Sequence, residues 1–374
     1  MATATNKHTD LEHMRTALLL AERGLGRVAP NPAVGCVIVD AAGHVVGRGW
    51  TQPGGRPHAE TEALRMAGSA ARGGTAYVTL EPCSHHGKTP PCADALIAAG
   101  IKRCVVALWD PYPEVDGRGI QRLKDAGIAV ELGLLHDEAS ELNAGFLTHV
   151  ASHRPMITLK LASSLDGRIA TASGDSKWIT GDLARAHGHR LRATHDAILI
   201  GSGTALADDP ELTCRLPGLE DRSPRRVVLD GRLRLPLSSR LVTTAKATPT
   251  YLATILGHPE AALDRYRKAG VEIVEAPQGA DRHPDLHLVL KALGNLGITR
   301  LLVEGGATVA AALLKADLVD RLHWFRAPGI IGGDGLASIA EIGLDRVSQM
   351  TRFQRTAQFA AGPDTVEIYR KKSS

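Results

Sequence analysis

The residues best able to do chemistry lie between Pro57 and Cys92, in the run PHAETEALRMAGSAARGGTAYVTLEPCSHHGKTPPC. His58, Cys83 and Cys92 offer one imidazole and two thiolates, a set that suits tetrahedral zinc and leaves a fourth position for water. Glu60, two residues after the histidine, is the natural proton carrier for that water. Water activated in this way attacks an amino-bearing ring carbon and expels ammonia, while the glutamate moves protons without binding metal. An H-x-E triplet alone says little, and a lone pair of cysteines more often packs a core. The order of all four residues, each near the end of an element, carries the zinc reading.

Those elements can be read from pattern. Pro57 is expected to open a helix with His58 and Glu60 in its first turn, which gives the ligand a rigid base. Residues 75–80 form an apolar strand that ends at Glu81-Pro82-Cys83. Pro91 is expected as the first residue of another helix, which places Cys92 near a helix start, where a thiolate is favoured. Upstream, Leu11, Met14 and Leu18 recur at helical spacing, so a first helix should end near Gly24 or Gly26. The prolines of Ala29-Pro30-Asn31-Pro32 then exclude helix. Asn31 is either a turn-forming asparagine or a contact to a heterocyclic ring. Residues 34–40 and 44–50 read as strands joined at 41–43. Downstream come a strand at 104–108, a helix at 119–126, a strand at 128–132 and a helix at 137–150. This alternation implies a mostly parallel sheet covered on both faces. Cys36 and Cys104 lie in apolar runs and are expected to be buried packing.

Composition sets the outer limits. At 374 residues, two domains are the natural expectation, and 44% hydrophobic with 22% charged residues is ordinary for globular protein. A net charge of +4 asks for no polyanionic partner, and 3% aromatics leave few rings on which unpaired bases could stack. Five cysteines are an odd number for a disulfide framework. The start MATATNKHTD lacks a basic segment followed by an apolar core, and no run approaches eighteen apolar residues. A soluble, cytoplasmic chain without nucleic-acid or membrane partners is expected.

Eight residues separate Cys83 from Cys92, whereas the usual signature for this chemistry is P-C-x-x-C. Together with PHAE, EPCSHHGKTPPC and the earlier NPAVGCVIV, this long connection closely resembles the deaminase half of the bifunctional riboflavin biosynthesis enzymes. The resemblance implies a cytidine deaminase-like three-layer αβα domain over residues 1–152. It also implies hydrolytic deamination of 2,5-diamino-6-ribosylamino-4(3H)-pyrimidinone 5′-phosphate. His58, Cys83 and Cys92 would be the zinc ligands, Glu60 the proton shuttle and Asn31 a ring contact. Lys88, with His85 or His86, could bring positive charge to the substrate phosphate. Otherwise this stretch is an exposed polar loop, or its histidines are spare metal ligands.

Residues 151–155 are polar with a proline and mark a boundary. A strand at 156–162 follows, then an Asp166-Gly167 turn. From here the chain resembles the reductase half of the same family, with its dihydrofolate reductase-like α/β fold, over residues 153–374. The matching residues are 176–180, 191–193, 203–210 and 303–306. Gly305-Gly306 falls between a strand at 300–303 and a helix at 307–315, where backbone N–H groups can approach a phosphate. No GxGxxG fingerprint accompanies it.

The resemblance implies NADPH-dependent reduction of the ribosyl group to ribityl, giving 5-amino-6-ribitylaminouracil 5′-phosphate. Ala162, Trp178, Thr204 and Asp208 would contact the cofactor, and Ser176, Arg192, Leu212, Arg215 and Glu304 the substrate. Arg192 and Arg215 suit phosphate through the guanidinium fork, or form surface ion pairs. Lys160 lies in an apolar strand and needs an acidic partner, for which Asp208 and Glu304 are the candidates. Lys160 or Asp208 is expected to handle the proton. The glycine-rich stretch 330–335 reads as a connection. The family implies a homo-oligomer, with a dimer favoured. Two other readings stay open: a nucleoside or tRNA deaminase with a degenerate second domain, and a binding module whose zinc is closed by His85 or His86.

Overall fold

Alternating apolar strands and amphipathic helices build two units, Met1–His153 around a five-stranded sheet and Arg154–Ser374 around a nine-stranded sheet with a small two-stranded one beside it in the chain. The computed structural model describes residues 4–85, 90–279 and 283–372.

The first unit runs α1 (Ala4–Ala21), β1 (Gly35–Val39), β2 (Val45–Trp50), α2 (Ala59–Ala67), β3 (Thr75–Val78), α3 (Cys92–Ala98), β4 (Arg103–Val106), α4 (Arg118–Asp125), β5 (Ala129–Leu132), α5 (His136–Leu142) and α6 (Ala144–Ser152). Its sheet has the order β2-β1-β3-β4-β5. Only β3-β4 and β4-β5 are parallel, because the tight turn between β1 and β2 makes a hairpin and β1 also lies antiparallel to β3. The mostly parallel sheet expected from the alternation is therefore a mixed one. The helix expected over 137–150 is broken at Asn143. Its buried amide pairs with both the N–H and the C=O of Ala33, so it serves the loop beside it and not a continuous helix.

Close packing brings α2 to its place. A Cβ at Gly47 or Gly49 of β2 would stand 2.2 or 2.1 Å from the carbonyl oxygen of Ala63 or Ala59, so only glycine lets the helix lie so close. The apolar core is continuous from Met14 on α1 through Cys36, Val37 and Ile38 to Val105 and Leu123. Cys36 and Cys104 are fully buried within it, as expected.

The second unit runs β6 (Met156–Ser163), β7 (Arg168–Ala170), α7 (Asp182–Ala193), β8 (Ala197–Gly201), α8 (Ser202–Asp208), β9 (Arg225–Leu229), α9 (Arg240–Thr243), β10 (Thr250–Ile255), α10 (Glu260–Ala269), β11 (Glu272–Ala276), α11 (Leu286–Asn295), β12 (Arg300–Val303), α12 (Ala307–Lys315), β13 (Arg321–Arg326), β14 (Leu336–Ala337), β15 (Phe353–Ala361) and β16 (Asp364–Lys371). The nine-stranded sheet has the order β11-β10-β9-β8-β12-β6-β13-β16-β15. Its first seven strands are parallel, and β16 and β15 close it as an antiparallel hairpin. After β8 the chain moves outward to β9, β10 and β11, then returns to insert β12 between β8 and β6. The connections diverge at β8/β12, and such a switch point leaves a crevice beyond the carboxyl ends of the strands.

The stretch 330–335 connects β13 to β14, as expected. The Asp166 carboxylate accepts the N–H groups of Ile331 and Gly332, which ties this connection to the Asp166-Gly167 turn.

Candidate active sites

In the first unit, three element ends meet. His58 is the extended N-cap of α2, with the helix beginning at Ala59, and Pro91 is the N-cap of α3, with the helix beginning at Cys92. Each helix starts later than its proline suggested. The His58 carbonyl accepts the helical bond from Glu62 N–H while its own backbone stays extended. An N-cap side chain stands clear of the helix barrel and is free to bind. Cys83 follows β3.

The ligand atoms of His58, Cys83 and Cys92 all lie within 4.8 Å of one another. His58 Nδ1 is 3.3 Å from Cys92 Sγ and 3.6 Å from Cys83 Sγ. The Cys92 N–H donates to Cys83 Sγ at 3.3 Å, a contact that favours thiolate. Hydrogen bonding with Cys92 draws the Cys83 thiol down to about 4, and the same contact with burial pushes Cys92 up. Two sulfurs this close share one proton, and a divalent cation in its place satisfies both. The donor set, its spacing and its charge fit zinc. Among the described residues the cluster holds these three ligands and no fourth.

Glu60 is buried beside the cluster. Burial raises its carboxyl to about 7 against the opposing pull of His58, so it can hold or release a proton near neutrality. Asn31 lies in a turn whose neighbour Arg27 accepts the Gly54 N–H, and this joins it to the segment that leads into His58. His85 stands 3.9 Å from the Glu114 carboxylate and outside the ligand cluster. His86 and Lys88 lie outside the described residues.

In the second unit the chemistry sits at the carboxyl ends of the central strands. Glu304, just after β12, takes two parallel bonds from Arg192 on α7: Nε to Oε1 at 2.7 Å and Nη2 to Oε2 at 2.8 Å. Their side chains are only 11% and 14% exposed. Burial alone would raise the Glu304 carboxyl, but Arg192 overrides it and holds the group at about 2. The remaining Arg192 Nη1 donates to the Thr213 carbonyl at 2.9 Å. This guanidinium is thus paired inside the protein, as in the ion-pair alternative expected for it, although its pair is buried and not at the surface. A buried cation must be paired, and Glu304 pairs it.

Arg215 keeps the other role open. It is 57% exposed, and Glu211 lies 4.0 Å away. Its backbone N–H donates to His189 Nδ1, and that imidazole is held down to about 4 by burial and by the Arg192 and Arg215 charges.

Lys160 on β6 has its pKa lowered by burial, against the pull of Glu304. Of the two acids expected to answer it, Glu304 does so through the neighbouring strand β12. Asp208 is exposed at the far end of α8.

The two halves of the β8/β12 crevice are joined by short contacts. Gly306 N–H donates to Thr204 Oγ1 at 3.2 Å, and Gly201 N–H donates to the Gly305 carbonyl at 3.4 Å. Gly305 has φ 121°, a conformation open to glycine alone, and it turns the chain from β12 into α12. Ala162 lies on β6, the strand beyond β12, and Ser176 in an exposed loop. Trp178 in the same loop is 74% exposed, with the Arg185 guanidinium 4.4 Å from the centre of its ring. Trp178 and the buried Leu212 both have positive φ, 68° and 55°. Bulky residues rarely hold such conformations, which cost local strain, and Leu135 and Leu233 share them.

Sequence reading missed Arg234 and Asp230. Asp230 follows β9 and is fully buried, with its carboxylate accepting the Leu235 N–H at 2.8 Å. Arg234 Nη2 donates to Ser202 Oγ at 2.6 Å at the edge of the crevice. The sequence signal was the Asp-Gly-Arg-Leu-Arg run after an apolar strand, which has no meaning until β9 is placed beside β8.

Comparison with known proteins agrees with this geometry. Residues 7–108 match the cytidine and deoxycytidylate deaminase zinc-binding region, and residues 155–366 match the RibD C-terminal domain. The riboflavin biosynthesis protein RibD of Escherichia coli is 44% identical over 95% of this chain and 97% of its own length. The solved structure of Acinetobacter baumannii RibD, form 1, superposes with a TM-score of 0.88 at 38% identity, covering 98% of this chain and all of that one. A diaminohydroxyphosphoribosylaminopyrimidine deaminase/5-amino-6-(5-phosphoribosylamino)uracil reductase from Thermotoga maritima gives a TM-score of 0.85 at 36% identity, covering 98% and 99%. With a zinc-binding deaminase unit followed by an intact NADPH-dependent reductase unit, this chain belongs to the RibD family of bifunctional riboflavin biosynthesis enzymes.

Proposed function

We propose that the chain deaminates 2,5-diamino-6-ribosylamino-4(3H)-pyrimidinone 5′-phosphate and then reduces its ribosyl group to ribityl, giving 5-amino-6-ribitylaminouracil 5′-phosphate. The observation that carries this is the convergence of His58, Cys83 and Cys92 beside a buried carboxyl, in a chain whose second unit has a strand-order switch at β8/β12.

In the first step His58, Cys83 and Cys92 hold zinc. When bound, it supplies the Lewis acidity that makes water a nucleophile near neutral pH. Glu60 takes the proton from that water and passes it to the departing amino group. Burial suits it to both acts, since its carboxyl is poised near 7. Asn31 orients the ring. Lys88, with His85 as a hydrogen-bond donor, would serve the substrate phosphate.

In the second step NADPH supplies the hydride to C1′ of the sugar. Gly305, Gly306 and Thr204 form the cradle, and N–H groups in the first turn of α12 face its phosphates. Trp178, Ala162 and Asp208 complete the cofactor contacts. Lys160 and Glu304 would serve the hydride-transfer end of the cofactor, and residues that follow β8 and β9 would hold its adenosine end. Asp230 at the end of β9 is buried, with one carboxylate oxygen on the Leu235 N–H and the other 3.8 Å from Arg234 Nε, and it is Arg234 that reaches the surface. An arginine at this position favours the 2′-phosphate of NADPH. Lys160 gives a proton to the sugar oxygen as the C1′–O bond opens, and hydride then completes C1′. Ser176, Leu212 and Arg215 hold the substrate, with Arg215 on its phosphate, and Glu304 and Arg192 fix the floor of the pocket.

The chain forms a homodimer in the cytoplasm. Support for self-association is β15, an edge strand exposed along nearly its whole length. Purified protein supplied with the pyrimidinone phosphate tests the reading. It should release one ammonia and oxidise one NADPH per substrate. Release of ammonia without NADPH oxidation would remove the second step, and neither would remove both.

A further inference from the structure

The sequence motif Glu81-Pro82-Cys83 holds one residue that the chemistry above leaves unused. Glu81 is 3% exposed, and its side chain turns away from the metal ligands toward the start of α4. There the carboxylate accepts four backbone N–H groups. Gly119 and Ile120 donate to Oε1 at 2.9 and 3.0 Å, and Gly117 and Asp110 donate to Oε2 at 3.2 and 3.3 Å. Gly117, the N-cap of α4, has no side chain to satisfy these donors, so an acid 36 residues earlier does so.

A second contact fixes the distance. A Cβ at Gly119 would lie 1.9 Å from the Pro82 carbonyl oxygen, so the helix start rests directly on the peptide before Cys83. On the other side, Cys83 is gripped by α3: its carbonyl accepts the Ala93 N–H at 3.2 Å and its sulfur accepts the Cys92 N–H at 3.3 Å. Cys83 thus hangs between two helix starts, tied to α3 by its own sulfur and carbonyl and to α4 by the Glu81 side chain.

We infer that Glu81 is a positioning residue for the metal centre, one that sets the Cys83 sulfur relative to His58 and Cys92. This rests on the zinc reading above. A carboxylate accepts all four bonds, whereas the amide of Gln turns one oxygen into a donor facing N–H groups. The Glu81→Gln side chain keeps its volume and loses that acceptor. Groups that orient metal ligands from behind typically change metal affinity 10- to 100-fold when altered.

The test uses the full chain and zinc itself. The zinc dissociation constant is measured by competition with a chelator, and cobalt(II) absorption reports the thiolate geometry. Leu123→Ala, which hollows the buried face of α4 and leaves Glu81 in place, is the matched control for mere loss of helix stability. Glu81→Gln should weaken zinc binding roughly 10- to 100-fold and shift the cobalt bands, with NADPH oxidation of supplied deaminated intermediate unchanged. Leu123→Ala, at an equal or larger drop in Tm, should bind zinc as the parent does. Should Glu81→Gln fail to fold, Glu81→Asp, shorter by one methylene with its charge kept, takes its place with the same expected signs. Zinc affinity within threefold of the parent, or the same loss in Leu123→Ala, would overturn the inference. A parent chain that binds no zinc would overturn the metal reading and this inference with it.

Discussion

The two units place their reactive groups in opposite ways. In the first, rare and chemically distinctive side chains meet at the ends of elements: His58 at a helix start, Cys83 beyond a strand and Cys92 in a helix's first turn. In the second, common charged residues are buried together: Glu304, just after β12, pairs with Arg192 of α7 and also draws on Lys160 of β6. A metal supplies the missing charge balance in the first case, and an internal ion pair supplies it in the second. The first unit should therefore depend on what it binds, and the second on its own pairing.

Removing one ligand gives the sharpest separation. Cys83→Ser should lose zinc and bring ammonia release to background, while NADPH oxidation of the deaminated intermediate stays at the parent rate. Loss of both activities would break the contrast between the units. Next in size is the internal pair. Arg192→Met leaves Glu304 buried without its hydrogen-bonded partner, and should cost the second unit about 3–5 kcal/mol in denaturant unfolding. Adding Glu304→Gln should recover much of that stability, because the orphaned charge is gone.

Acid should act on the same pair. Glu304 is held at about 2, against an ordinary value of 4.5. A depressed carboxyl contributes stability that is fully present above its unfolded value and is lost as pH falls through the folded one. The window is therefore pH 4.5 down to 2, and the loss is about 3 kcal/mol. Unfolding followed across that window should show the decline in the parent, and a much flatter curve in the Arg192→Met, Glu304→Gln double variant. The smallest expected effect concerns cofactor choice. Arg234→Gln should raise the KM for NADPH roughly tenfold and leave that for NADH unchanged, which narrows the preference without slowing kcat.

Legibility followed the same division. The zinc ligands and Glu60 stood out because histidine and cysteine at ordered spacing have few other uses. The strand 300–303 and the helix 307–315 were readable to the residue, because Gly305-Gly306 punctuates them. Helix starts at Pro57 and Pro91 were each read early, since proline suits the first turn and the residue before it equally well. Asn143 split a helix by bonding to Ala33, 110 positions away, and no local pattern carries that. The same holds for Arg192, whose partner lies 112 residues on, and for Arg234, whose meaning depends on β9 lying beside β8. Glu81 was visible only as the residue before Pro82-Cys83. Its four donors come from a loop and a helix 29 to 39 residues later.

The most direct test of the central claim is the Glu60→Gln chain, assayed for bound zinc, ammonia release and NADPH oxidation in one preparation. Zinc should remain at one per chain and NADPH oxidation of supplied deaminated intermediate should be unchanged, while ammonia release falls by about 10²–10⁴-fold. Ammonia release at the parent rate, with zinc in place, would contradict the account of how this buried carboxyl serves the reaction.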